Sequence, residues 1–135
     1  MRLIIAEDEF LLALCITEAV ENAGHQVLCC ESSAVRALQC AREEGADLAL
    51  VNISLNEGST AGLRLAKELK VELSIPSIFV SGQRQDAMTA NRVALGFLPK
   101  PYSPEDLVAA ISVAEALNRG GRPPPPAIPT TLELF

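Results

Sequence analysis

Four apolar runs in this 135-residue chain each end in residues able to do chemistry. Leu3-Ile4-Ile5-Ala6 runs into Glu7-Asp8-Glu9, and the run through Val51 ends in Asn52-Ile53-Ser54. Ile75 to Val80 runs into Ser81-Gly82, and Gly96-Phe97-Leu98-Pro99 into Lys100-Pro101. Two acids, a carboxamide, a hydroxyl and an amine can thus meet at one edge of the fold. A hard cation takes several oxygen ligands and offsets the charge of an entering phosphoryl group, whose oxygens an ammonium also contacts.

Whether these groups meet depends on the elements that carry them. The stretch from Asp47 to Leu55 is apolar without alternation, as expected of a strand buried on both faces. Between the runs lie helical stripes. Leu12, Ile16, Ala19, Val20 and Ala23 mark one over 9–23; Ser32 or Ser33 caps a second with Val35, Leu38 and Ala41 inward; a third spans about Ala61 to Val71. A weaker fourth covers 83–94 and is expected to be the most mobile. The fifth opens on Ser103 as cap, with Pro104, Glu105 and Asp106 in its first turn, and its stripe is complete at Leu117.

Strands alternating with helices, without an internal repeat, predict an α/β flavodoxin-like architecture: a doubly wound five-stranded parallel sheet with helices on both faces. On such sheets ligands bind beyond the carboxyl ends of the strands, where the chemical residues stand. The expected organisation is one domain over 1–118 and a proline-rich, disordered tail over 119–135, dispensable for folding. Arg122 to Phe135 holds five prolines and closes on Leu132-Glu133-Leu134-Phe135.

Composition narrows the function. The net charge is −6 with no basic run, which argues against nucleic acid as a partner. No apolar stretch approaches the ~20 residues of a spanning helix, and a strand follows Met1-Arg2 directly, so the expected setting is cytoplasmic, away from membrane. Cys15, Cys29, Cys30 and Cys40 form no CxxC pair, and the expectation is reduced thiols. Leu11, Leu14 and Cys15 widen the apolar face of the first helix into a candidate docking surface.

The segments LIIAEDE, DLALVN, FVSG and FLPKP, in this order, resemble the receiver domain of two-component response regulators over residues 1–118. The resemblance implies a non-enzymatic switch that takes a phosphoryl group on a third-strand aspartate from a histidine kinase or histidine phosphotransfer protein. Carried over by position, Glu7 and Asp8 match the acidic pair, Asn52 the acceptor, Ser81 the switch hydroxyl, Phe97 the switch aromatic and Lys100 the phosphoryl-contacting lysine. Mg²⁺ would be held by Glu7, Asp8, Asn52 and the Ser54 carbonyl, and Lys100-Pro101 would carry a cis peptide. A downstream protein partner is implied for the face of the fourth helix, fifth strand and fifth helix, and a homodimer is a further partner state.

The departure is Asn52. A neutral carboxamide is a poor nucleophile where a carboxylate would attack phosphorus, and its loss of charge weakens Mg²⁺ binding or removes it. A natural pseudo-receiver and an Asp-to-Asn change made to block phosphorylation both fit. The leading expectation is a stand-alone receiver with phosphorylation blocked as written; the alternative is a phosphorylation-independent module that docks a kinase or other partner through Leu11, Leu14 and Cys15.

Overall fold

Strands β1 (Arg2–Ala6), β3 (Leu48–Val51) and β4 (Ser77–Ser81) are almost wholly buried, as their unbroken apolar runs require. They form the middle of a sheet ordered β2-β1-β3-β4-β5-β6, with β2 at Gln26–Glu31, β5 at Gly96–Pro99 and β6 at Glu133–Leu134. The computed structural model describes residues 1–120 and 131–135. Strands β1 to β5 pair in parallel, and β6 adds to β5 antiparallel. This is the flavodoxin-like architecture expected, extended by one strand.

Side chains alternate across the sheet, so each strand feeds two cores. Ile4, Ala49, Val51, Phe79 and Phe97 face the layer of helices α2 (Ala34–Glu44) and α3 (Ala61–Leu73). Leu3, Ile5, Leu48, Leu50, Ile78, Val80 and Leu98 face the layer of α1 (Phe10–Asn22) and α5 (Pro104–Asn118). Ser33 and Ser103 cap α2 and α5 by accepting from the amides of Arg36 and Asp106. Helix α4 is shorter than the 83–94 expected, spanning only Arg84–Thr89. In α2, Val35 is exposed and Ala37 takes the inward place, because Val35 lies off the face that Leu38 and Ala41 define.

Two further expectations are corrected. Cys29 on β2 and Cys40 on α2 are joined as a disulfide, whereas Cys15 and Cys30 are free. Sequence spacing carries no information on a contact made by packing a helix across a strand. The tail does not end without structure: Leu132 is buried, Glu133–Leu134 pairs with Gly96 and Phe97, and the Phe135 amide donates to the Leu95 carbonyl. The expectation for residues 121–130 lies outside the described residues. Burying Leu132 contributes about 1.5–3 kcal/mol and each backbone hydrogen bond about 1 kcal/mol, while ordering costs about 1–2 kcal/mol per residue over Leu132 to Phe135. The opposing sums lie within a few kcal/mol of each other, so β6 is held marginally.

The loop after β3 is fastened to α2 by Glu57. Its carboxylate accepts from the Ser33 hydroxyl at 2.6 Å and from the amides of Ala34 and Val35 at 2.8 and 3.0 Å. These donors hold the carboxyl at about 2, below its ordinary 4.5. A depressed carboxylate stabilises the fold above its unfolded value and ceases to do so as pH falls through the folded one. Glu57→Ala is expected to destabilise by about 1 kcal/mol at pH 7, the scale of an exposed cap. Denaturant unfolding of both proteins should show that difference shrinking as pH falls from 4.5 towards 2.

Candidate functional site

Three of the candidate residues are set at strand exits by backbone hydrogen bonds to the neighbouring strand. The Asn52 amide donates to the Ala6 carbonyl at 2.8 Å, the Glu7 amide to Glu31 at 2.9 Å, and the Lys100 amide to Ser81 at 3.0 Å. Glu7, Asp8, Asn52, Ser81 and Lys100 therefore stand along the carboxyl edge of the parallel strands. Lys100 is followed by a cis peptide to Pro101, as the resemblance implies.

Within this edge the groups pair in a particular way. Asn52 is 5% exposed, and its Nδ2 donates to Asp8 Oδ1 at 3.0 Å and to the Ser54 carbonyl at 2.7 Å. The Lys100 ammonium lies 3.2 and 3.1 Å from the two oxygens of Glu7, with Glu9 Oε1 at 4.0 Å. Glu7 is 3% exposed, and burial pushes its carboxyl above the ordinary 4.5 despite the opposing pull of Lys100. The Ser81 hydroxyl accepts from the Gln83 amide at 3.1 Å, closing the turn into α4.

Phe97 is fully buried, and the Arg84 guanidinium lies 5.6 Å from its ring centre. The same guanidinium ion-pairs with Glu133 of β6. Arg84 and Glu133 are absent from the sequence-derived site, since only the pairing of β6 with β5 brings them together. At the other end of the edge, Leu11, Leu14 and Cys15 are exposed on α1, and Phe10, at 74% exposure, joins them. Phe10 sits next to Leu11 and one turn before Leu14, a spacing that could have revealed it.

Comparison with known proteins decides the family. Residues 3–112 match the model of the response regulator receiver domain. The chain belongs to that family. Over 122 residues, this receiver domain is 31% identical to the phyllosphere-induced regulator PhyR of Methylorubrum extorquens, covering 89% of the chain and 45% of that protein. It is 28% identical to the transcriptional regulatory protein CrdR of Helicobacter pylori, covering 82% and 53%. The chain thus spans about half the length of the curated relatives it matches. Among solved structures it resembles the signal receiver domain of a modulated diguanylate cyclase from Desulfovibrio desulfuricans, with TM-score 0.79, 29% identity and coverage of 87% and 95%. It also resembles the response regulator PhyR from Brucella abortus, with TM-score 0.77, 30% identity and coverage of 88% and 49%.

The acidic-pair oxygens are the ones a cation would need, and the residues present do not fit one as they stand. The Asn52 NH₂ donates to both Asp8 and the Ser54 carbonyl, and Glu7 is engaged by Lys100. Among the described residues no cluster of three or more His, Cys, Asp or Glu is suited to a metal, and no helix is long and apolar enough to cross a membrane.

Removing Lys100 would leave the buried Glu7 carboxylate without its counter-charge. Lys100→Ala is expected to destabilise by roughly 3 kcal/mol at pH 7. A raised carboxyl contributes stability at low pH that is lost as pH rises, so the deficit should be smaller at pH 5, where Glu7 takes up a proton more readily. Chemical denaturation at the two pH values measures this.

Proposed function

We propose that this receiver domain signals by binding other proteins and takes no phosphoryl group as written, with Asn52 standing at the acceptor position. The observation that carries the reading is the Asn52 Nδ2 hydrogen-bonded to both Asp8 and the Ser54 carbonyl. Those are the oxygens the family resemblance assigns to Mg²⁺. An amide that joins them supplies the cross-strand tie without a cation, and it presents no anionic oxygen to attack phosphorus. Lys100, with no carboxylate at Asn52 to neutralise, turns to Glu7. Asp8 and Glu7 thus each take a donor from within the chain, which supports a state independent of metal and phosphate.

The binding surface on this reading is the exposed apolar patch of α1, with Phe10, Leu11, Leu14 and Cys15. It borders an apolar groove of about 550 Å³ lined by Leu12, Ile16, Pro101, Tyr102 and Leu107. A histidine kinase or histidine phosphotransfer protein is the proposed partner, engaged in competition with phosphorylatable receivers. The regulators among the relatives, one described as an anti-anti-sigma factor at 27% identity, support a signalling module over an enzyme.

A second reading, a phosphorylation-controlled switch, has its own support in Ser81 and Lys100 at the ends of β4 and β5 and in Phe97 within β5, and it applies to a chain with aspartate at position 52. Intact-mass spectrometry after incubation with acetyl phosphate and Mg²⁺ tests the proposal. The protein should keep its unmodified mass, and Asn52→Asp should gain one hydroxylamine-labile phosphoryl group. Phosphorylation of the protein with Asn52 would overturn the reading. Calorimetric titration should also show Mg²⁺ binding at least tenfold tighter to Asn52→Asp, because a third carboxylate joins Glu7 and Asp8.

A further inference from the structure

Strand β5 is the last of the parallel strands, and among the described residues its outer edge is covered by β6 alone, which the same chain supplies. A sheet edge, once its covering strand leaves, is a template for an added strand. Several features are shaped to receive one. Gly96 lets the incoming backbone come close, since a Cβ there would lie 2.6 Å from the Glu133 carbonyl oxygen. Leu132 is buried and joins the core layer of α1 and α5. Arg84, stacked on Phe97, ion-pairs with the Glu133 carboxylate, and the Phe135 amide donates to Leu95. The edge thus recognises an extended segment with a leucine, an acid on the next residue and a backbone that continues in register.

The covering strand is removable. It comprises Glu133–Leu134 alone, while Leu134 and Phe135 are 40% and 37% exposed. Glu133 gives one oxygen to Arg84 and buries the other without a hydrogen-bond partner among the described residues. A desolvated carboxylate oxygen left unpaired weakens the contact that holds it.

We propose that the β5 edge is a strand-addition site for an extended Leu-acid-apolar segment of a partner protein, and that Leu132–Phe135 is its built-in occupant, which a partner must displace. The occupant's own sequence defines the chemistry the site takes. The proposal is independent of the state of Asn52 and of the α1 patch.

The test uses the full chain and a fluorescein-labelled peptide of residues 130–135, Thr-Thr-Leu-Glu-Leu-Phe, read by fluorescence anisotropy. Leu132→Asp combined with Glu133→Lys should release the covering strand and bind the peptide at least tenfold more tightly than the unaltered chain. Adding Gly96→Val should abolish that binding, as should reversing the peptide's own glutamate to lysine. Far-UV circular dichroism checks that the released chain is folded. Equal binding by the released and unaltered chains overturns the proposal. So does a released chain that is folded and takes no peptide while the unaltered chain forms dimers with concentration, which would make the edge an exchange site between copies. Should the double variant not fold, Glu133→Gln decides, since it loosens the covering strand and leaves Arg84 free for the peptide. A several-fold rise in peptide affinity supports the proposal, and an unchanged affinity overturns it.

Discussion

The carboxyl edge of this sheet brings Asp8, the Asn52 side chain and the Ser54 carbonyl within hydrogen-bonding distance, and the pairing they adopt governs the rest of the site. Oxygens from the ends of β1 and β3 that approach one part-buried point need a donor or a positive charge between them. A carboxylate at Asn52 would add a third negative group and demand a cation. An amide donates to both oxygens, and its NH₂ stands in for the positive charge at the cost of nucleophilicity. The behaviour proposed for this receiver domain follows from one nitrogen replacing one oxygen.

The surrounding structure is built to hold that arrangement still. Gly62, at the start of α3, donates its amide to the Ile53 carbonyl at 2.7 Å, and a Cβ there would lie 2.0 Å from the Asn52 carbonyl oxygen. Only glycine lets α3 press so closely on the backbone that carries the site. On the other side, Lys100 and Glu7 form a nearly buried ion pair whose partners come from β5 and β1, the two ends of the edge. The pair contributes little net stability because both charges are desolvated, but it fixes where the ammonium points.

Much of this was legible in the sequence. The unbroken apolar runs gave the strands, the serine and proline signals gave α2 and α5, and polar residues at successive strand ends located the edge. What escaped was produced by contact between elements distant in the chain. The bond between Cys29 and Cys40 needs α2 laid across β2, the capping of α2 by Glu57 needs the β3 loop folded back, and the clamp of Arg84 on Phe97 and Glu133 needs β6. Glu133–Leu134 is too short for periodicity to reveal it, and proline-rich sequence before it argues for no structure at all. Which residues stand at the strand exits was readable by position; the pairing of Lys100 with Glu7 and of Asn52 with Asp8 depended on side-chain geometry.

On the reading proposed for this domain, the Asn52 side-chain amide occupies the place of a cation between Asp8 and the Ser54 carbonyl. The most direct measurement is the ¹H–¹⁵N signal of the Asn52 NH₂ group, assigned by its loss in Asn52→Asp, followed through a titration with Mn²⁺. A group donating both its hydrogens inside a 5% exposed residue should give two well-separated proton resonances, slow exchange with water, and no selective broadening at low millimolar Mn²⁺. Rapid exchange with water, or selective loss of the Asn52 and Asp8 signals at micromolar Mn²⁺, would contradict the account, because the oxygens assigned to the amide would then be open to a metal.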